Sequence, residues 1–544
     1  MHSTKRLVLW IPLALLATLS TPAPAQDARP GVFGEVLDVR VVNVEVVVTD
    51  KKGSRVNGLG AADFTLEVDG QQVPIDFFTE VVGGVVAGAT AAAPAAAPPA
   101  AEPGQPLGVS WLIFVDDFFS VERDRNKVLE SLGTQIALLG PADRMALVAW
   151  DGHKLSMLSS WSNSIPVLQR ALKAAAQRPA FGLRRLSEQR TLVDDRYMQQ
   201  RVVGLRAVSA DPTHLAPDER QLVDLMTSQV SRSVGAAAAT LRAFAEPPGR
   251  KAMLLLAGGW PWRPIDYVIH DPNRLITETT VGAEQLYRPL ADVANLLGYT
   301  LYPVDVPGMN QRVVDVSAPG PPDPFVESRR ENEQHMSLGW LAERTGGRAF
   351  LNDKRLAVFE ETVTDTRSFY WLGFTPKRSG DDRPHRVRVT VKRDGLEVRS
   401  RQGFLDASRT AEVSMAVESS LLFGNPASTL PLEVTVGRPL KDRGRRMKVP
   451  ITILVPLGQL TPLPGPEGPT VAVELRVAAQ DAEGATAAIP VIPLQLRMPA
   501  ELKADSAGRY STELLLRRAE HDLVIALYEP VSGKVFSATA HIAP

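Results

Sequence analysis

Hydrophobic and polar positions change their rhythm along the chain, and each change marks a different kind of structure. Val39–Asp50 alternates, with Val42, Val44, Val46 and Val48 on one face and Asn43 and Glu45 on the other. Period-two alternation rich in Val predicts a half-buried strand. Phe64–Val68 and Gln71–Val81 flank Asp69-Gly70, a hairpin signal because Gly reaches positive φ without strain. Residues 31–81 therefore read as a small all-β segment. Residues 82–106 are dominated by Ala and Pro. With few large apolar side chains to bury, they predict a flexible or extended linker.

The rhythm then shifts. Trp111–Val115 is a continuous apolar run ending in Asp116-Asp117, as expected of a strand covered on both faces in a parallel sheet. Val121–Leu139 carries a helical stripe of Val128, Leu132, Ile136 and Leu139. Met145–Trp150 reads as a strand, and Asp151-Gly152 turns it into His153–Ser159. Helices are predicted at Ser164–Ala176, from Pro217 through Phe244, at Ala283–Leu297, Glu331–Arg344 and Leu356–Thr366. Strands fall at Ala252–Ala257, Thr300–Val304 and Arg348–Leu351. Strands alternating with helices over 107–366 describe an open, doubly wound, mostly parallel α/β sheet.

After Arg367 the period returns to two. Phe369–Thr375 and Arg386–Lys392 read as strands, and Asp394-Gly395 turns into Leu396–Arg401. From Asp406 to Pro544 only strand-length runs separated by Pro, Gly and Asn are legible, which predicts a C-terminal β-sandwich over 406–544. Neither 31–81 nor 367–405 is large enough for an independent core. The expectation is that they complete one β-sandwich with the α/β region inserted between them. The predicted fold class is thus multidomain α/β plus all-β.

Composition narrows the function classes. The 544 residues are 44% hydrophobic and 22% charged, with 60 Lys+Arg against 61 Asp+Glu and a net charge of -1. That balance argues against nucleic acid as a partner. The absence of Cys excludes disulfides, thiolate metal sites and Cys nucleophiles. Lys5 and Arg6, the apolar run Leu7–Leu19 and Ala23-Pro24-Ala25 form an export signal over 1–25, with cleavage after Ala25. The expected mature protein is periplasmic or secreted, with no integral membrane segment.

Several motifs occur in an order that resembles a known family. They are Val48–Gly53 (Val-Thr-Asp-Lys-Lys-Gly), Asp63-Phe64, Asp69-Gly70, Pro248–Lys251, Tyr302–Asp305, Leu341–Arg348, Tyr370–Phe374 and Val398–Phe404. Across residues 35–405 the chain resembles the VWFA-related family described from acidobacteria, and through it the von Willebrand factor type A (vWA) domain. The resemblance implies a vWA-like sheet inserted in a β-sandwich. It also implies a divalent-cation site, Mg²⁺ or Ca²⁺, built on a D-x-S-x-S motif with a distant Thr and Asp. Here the motif reads Asp116-Asp117-Phe118-Phe119-Ser120. Asp116 and Ser120 match, Phe118 supplies no oxygen, Gly258-Gly259 stands where the later Asp is expected, and the Thr falls in a diverged insertion, where Thr191 is the candidate. The site is read as degenerate and the protein as needing no cofactor. The competing reading is that Asp116 accepts backbone N–H groups at a nearby loop.

Open α/β sheets bind ligands at the carboxyl ends of their strands. Gly258–Pro264 follows a central strand there, and Trp260, Trp262 and Arg263 are candidate partner-binding residues, since Trp and Arg commonly anchor interfaces. Alternatively, the two Trp pack beneath Arg178–Ala216 or Pro307–Ser328. The Arg-rich stretch Arg184, Arg185, Arg190, Arg196, Arg201 and Arg206 and the basic turn Lys441–Lys448 read as solvated faces. No G-x-S-x-G, P-loop, G-x-G-x-x-G after a strand or H-E-x-x-H occurs, and the His residues lack ligand spacing. The sequence therefore points to a non-catalytic, adhesion-type binder of a protein or cell-surface polymer. Cation-dependent adhesion through Asp116 and Ser120 and an extracytoplasmic hydrolase with a non-sequential site are the alternatives.

Overall fold

The computed structural model describes residues 41–544 apart from 92–102, 195–212, 246–248, 271–273, 275, 278–279, 309–323, 377–379, 425–426, 465–467, 483–485, 487–488, 499–502 and 504–505. The expected export segment over 1–25, residues 31–40 of the first β segment, Arg196, Arg201, Arg206 and Pro248 lie outside the described residues.

Five strands come first: β1 (Val42–Asp50), β2 (Phe64–Val68), β3 (Gln71–Val73), β4 (Phe77–Val82) and β5 (Val85–Ala91). The expected single strand from Gln71 to Val81 is two. Pro74 cannot donate to a ladder, so β3 stays on β2 while β4 joins a different sheet. The linker expectation over 82–106 is corrected at Val85–Ala91, and its residues 92–102 lie outside the described residues. Gly83 and Gly84 take φ of 61° and 83° and return the chain as β5 along β4. Backbone pairing at a sheet edge needs extended φ/ψ and little side-chain volume.

The middle region holds β6 (Val109–Asp116), α1 (Glu122–Gln135), β7 (Arg144–Trp150), β8 (Leu155–Ser162), α2 (Ile165–Ala176), α3 (Gly182–Gln189) and α4 (Pro217–Ala243). It continues with β9 (Arg250–Ala257), α5 (Pro264–Val268), α6 (Ala283–Leu297), β10 (Tyr299–Asp305), α7 (Pro324–Thr345) and α8 (Val358–Thr366). The sheet order is β10-β9-β6-β7-β8. All neighbours are parallel except the hairpin partner β8. Alternate residues of β6 serve opposite faces: Leu112 and Phe114 pack with Met226, Val230 and Leu290, while Trp111, Ile113 and Val115 pack with Val128, Leu168 and Phe359. The predicted strand Arg348–Leu351 is reduced to one parallel bridge between Val304 and Phe350.

Four more strands follow: β11 (Phe369–Phe374), β12 (Pro384–Val391), β13 (Leu396–Ser400) and β14 (Gly403–Leu405). β1 lies between β11 and β13, with Val44 opposite Leu372 and Val48 opposite Val398. β12 pairs with β2, Val389 opposite Leu66. The resulting sheets, β13-β1-β11-β4-β5 and β14-β12-β2-β3, share one core in which Val44, Val46 and Leu66 meet Leu372, Val387 and Phe404. Residues far apart in sequence thus close a single apolar interior.

Beyond Asp406 the all-strand expectation fails at its start. Arg409–Phe423 is a helix, α9. The Ser408 hydroxyl accepts from the Ala411 N–H, and Gly424 closes the helix at φ 71°. Val417 and Leu421 pack on Val524 and Ala526, and Arg242 of α4 pairs with Glu418 at 2.5 Å. Then come β15 (Leu430–Pro431), β16 (Glu433–Val436), β17 (Leu440–Lys441), β18 (Arg446–Val455), β19 (Thr470–Asp481), β20 (Val491–Arg497), β21 (Gly508–Arg517), β22 (His521–Tyr528) and β23 (Val535–Ile542). They form the sheets β15-β23-β22-β19-β20 and β16-β18-β17, with β21 also on β18. Val449, Ile451, Leu475 and Ile525 lie in the core between them. The protein is therefore mixed α/β, with parallel and antiparallel sheets side by side. Among the described residues, no helix is long and apolar enough to cross a membrane.

Candidate functional site

The parallel strands of the middle sheet end at a rim formed by Asp116, Ala257 and Asp305. Asp116 closes β6 and is fully buried. One carboxylate oxygen, Oδ1, accepts from the Phe118 and Phe119 N–H groups, each at 3.1 Å. The other, Oδ2, accepts from Trp260 Nε1 at 2.6 Å. Burial pushes the Asp116 carboxyl up to about 7, with the Trp260 and Phe119 hydrogen bonds and nearby Arg185 opposing that rise.

Ser120 follows on the turn. Its N–H donates to the Asp116 carbonyl at 3.2 Å. Its hydroxyl is buried and has no hydrogen-bond partner among the described residues. Gly258, in the loop after β9, lies against this turn: a Cβ there would sit 2.2 Å from Phe119 C and Ser120 N. An aspartate in place of Gly258 is sterically excluded. Thr191 donates its hydroxyl to the Ser187 carbonyl at 3.0 Å and is exposed.

A hard cation wants about six oxygens in near-octahedral geometry. Here both Asp116 oxygens already hold donors, Phe118 contributes none and the Gly258 backbone closes the far side. In this arrangement the donor set does not fit the Mg²⁺ or Ca²⁺ cage that the resemblance implies. Among the described residues, no group of three or more His, Asp or Glu is placed to hold a metal ion.

Asp117, the residue after the end of β6, takes partners different from those of Asp116. It accepts from Arg125 Nη1 and from Arg178 Nε, both at 2.6 Å. The Arg125 guanidinium, wholly buried, also reaches the Arg178 carbonyl at 2.8 Å. This pair of arginines ties α1 and the α2–α3 connection to the end of β6.

The partner-binding expectation is corrected for Trp260. It is wholly buried, drawn inward because the carboxylate at the strand end needs a donor. It stacks on Tyr287 of α6, ring centroids 6.4 Å apart. Trp262 is half-buried, parallel to the same Tyr287 ring at 5.7 Å and tilted against Trp340 of α7 at 5.6 Å. The aromatic pair packs on Tyr287 of α6 and Trp340 of α7; residues 195–212 and 309–323 of the alternative reading lie outside the described residues. Arg263 reaches solvent, where it pairs with Asp266 at 2.7 Å. Its N–H donates to Glu333 at 2.5 Å, and burial pushes Glu333 up to about 6.

Two histidines serve as struts on this rim. His335 of α7 lies 3.3 Å from Asp305 at the end of β10, and this contact raises its pKa. His270 lies 3.0 Å from Asp194. Burial alone would raise the Asp194 carboxyl, but Arg330 at 2.7 Å and His270 hold it well below the usual range.

Sequence reasoning missed the feature beside Phe118. There the rim opens into a cavity of about 610 Å³ between α3, α4 and the β7–β8 turn, lined by Phe118, Phe181, Arg185, Leu225 and Arg232 among others. The signal lay in the Phe118 that replaces a hydroxyl and in the Gly-Leu-Arg-Arg start of α3, where Gly182 is required. A Cβ on Gly182 would meet the Ser120 backbone at 2.5 Å.

No family model matches the chain, and no curated protein matches it. Among solved structures, the pilus adhesin SpaC from Lactobacillus rhamnosus GG is similar at 9% identity over 80% of this chain and 53% of that one, with a TM-score of 0.25. A Bacteroides uniformis beta-glucuronidase is similar at 11% identity over 33% of this chain and 19% of that one, TM-score 0.15. The structural-genomics target SoR45 is similar at 17% identity over 21% of this chain and 85% of that one, TM-score 0.14. At these scores the likenesses carry no functional argument.

Proposed function

We propose that this chain is an extracytoplasmic, non-catalytic binding protein of adhesion type. Its vWA-like α/β region is the gripping platform, and it recognises another protein or a surface polymer without a cation. The surrounding β layers, including a C-terminal β-sandwich, act as its scaffold. The observation that carries this reading is the Trp260–Asp116 hydrogen bond. The carboxylate that would face an ion is turned into an internal fastening between β6 and the loop after β9. Shape, aromatic surface and guanidinium groups at the strand ends are then what remains for recognition. The basic, apolar and A-x-A pattern of the first 25 residues supports an extracytoplasmic location.

Affinity capture from the native envelope, run with and without EDTA, tests this. Capture should be indifferent to EDTA, and calorimetry should register no heat on adding Mg²⁺ or Ca²⁺. Capture released by EDTA overturns the cation-free reading, and turnover in a hydrolase substrate panel overturns the non-catalytic one.

A further inference from the structure

The cavity beside Phe118 has an uneven balance of charge. Its carboxylates are already engaged within the protein. Glu188 pairs with Arg184 one helical turn away at 3.1 Å. Asp151 Oδ1 accepts from the His153 and Lys154 N–H groups at 2.9 and 2.7 Å, and its Oδ2 lies 3.9 Å from Arg178.

Two of its guanidinium groups make no ion pair among the described residues, and Asp116 and Glu188 act on Arg185 only at a distance. Arg185 lies flat over the Phe119 ring, 3.5 Å from the centroid, and gives its Nε–H to the neutral amide of Gln229 at 3.2 Å. Its terminal nitrogens make no hydrogen bond among the described residues. Burial lowers its pKa to about 10, so its charge stands in a partly dry setting. Arg232 makes no hydrogen bond or ion pair among the described residues and is exposed at the cavity mouth. Leu225, Gln229 and Arg232 recur at helical spacing, so one face of α4 presents an apolar, an amide and a cationic group in line.

The apolar part of the cavity lining is Phe118, Phe181, Leu192 and Leu225. Beside it on α3, outside the lining, Leu183 and Leu186 are 52% and 36% exposed, and Leu225 of α4 is 36% exposed. Apolar surface on two neighbouring helices, extending beyond the cavity, suits a macromolecular partner better than a small solute. A guanidinium fixed by an aromatic face and an amide is set to receive a carboxylate with little loss of freedom.

We propose that this cavity is a docking site for an acidic segment of a partner protein. In it, an aromatic or branched side chain enters the pocket and flanking carboxylates pair with Arg185 and Arg232. The proposal rests on the binding-protein reading and narrows it to one partner class. Charge complementarity selects the occupant, since a neutral apolar segment would leave both cations unpaired.

The test uses the full chain and a fluorescein-labelled, end-blocked Leu-Glu-Phe-Glu-Leu peptide, with a Leu-Gln-Phe-Gln-Leu peptide as its neutral match. The acidic peptide should bind at low salt, and the neutral one about tenfold or more weaker. Raising ionic strength should close that gap. Arg232→Gln, at an exposed and unpaired position, should keep the melting temperature and weaken the acidic peptide about tenfold. Arg185→Gln combined with it should abolish the preference. Equal binding of the two peptides, or an unchanged affinity in R232Q, overturns the site. Binding of polygalacturonate with no binding of the peptide overturns the partner class. A chain that captures its envelope partner without EDTA dependence while binding neither peptide loses the cavity assignment only. EDTA-dependent capture or substrate turnover removes the reading on which it rests.

Discussion

The Arg399 guanidinium, on β13, reaches both carboxylate oxygens of Asp365, on α8, at 2.5 and 2.7 Å. Arg55 pairs with the same carboxylate, and the Tyr302 hydroxyl donates to it at 2.7 Å. One buried acid therefore fastens the first β layers to the α/β region. Burial alone would raise its pKa, but Arg399 and Arg55 hold it down at about 2. The unfolded carboxyl titrates near ~4. Its contribution is therefore present above that pH and is lost as pH falls towards 2. Asp365→Asn should cost about 3–5 kcal/mol, because it leaves two part-buried cations without their carboxylate. Denaturant melts of both forms at pH 7 and pH 3 check this: the gap should shrink at the lower pH.

Trp260 and Asp116 make the opposite case. The folded Asp116 carboxyl lies near 7 and the unfolded one near ~4. Between those values the native state holds more protons, so this group lowers stability as pH rises from about 4 to about 7. Trp260→Phe keeps a ring but removes the donor to Oδ2, and should cost about 1–3 kcal/mol at neutral pH. Trp260→Ala should cost about 3–5 kcal/mol through the cavity it leaves. Melting temperatures of both variants read this out. Full stability in W260A would place that ring at the surface after all.

Gly258 is fixed by contact rather than by conformation. Gly258→Ala drives a methyl into the Phe119–Ser120 backbone and should cost about 1–3 kcal/mol or more. Gly235→Ala, within α4 and with nothing within 4 Å of the new methyl, should instead stabilise by about 0.5–1 kcal/mol. Chemical denaturation of the two side by side checks the sign of each.

Ser120→Ala removes a buried hydroxyl that has no partner among the described residues. It should leave stability within about 0.5 kcal/mol or raise it slightly, with partner capture unchanged. A loss of capture in S120A that added Mg²⁺ modulates would restore the hydroxyl to a cation cage.

Much of the architecture could be read from side-chain rhythm, and the failures have physical causes. Trp111–Val115 announces a doubly covered strand because every residue of it must be apolar, and β6 spans Val109–Asp116. Val42–Val48 announces β1 by strict alternation. β5 was hidden because an edge strand is held by main-chain bonds, which composition does not report. α9 was hidden among Pro- and Gly-punctuated strands. Its signs were present all the same: Ser408 before it, Val413, Val417 and Leu421 at four-residue spacing, and Gly424 after it. At the rim, the sequence placed Asp116, Ser120 and Trp260 near one another in role. It could not say that the indole would turn inward to bond the carboxylate, because that contact joins residues 144 positions apart. Arg185 and Arg232 gave no local sign, since their lack of carboxylate partners is a property of the assembled surface.

Gly84 has a mechanical consequence. Its N–H donates to the Arg367 carbonyl at 2.6 Å, and its own carbonyl accepts from the Leu107 N–H at 2.9 Å. The segment entering the α/β region and the segment leaving it are thus clasped at a single residue. A bead hung on one cord swings; one hung on two cords knotted together turns only with its mount. Under the proposed binding role, tension from a ligand would pass from Arg367 into β11 and its ladder with β1.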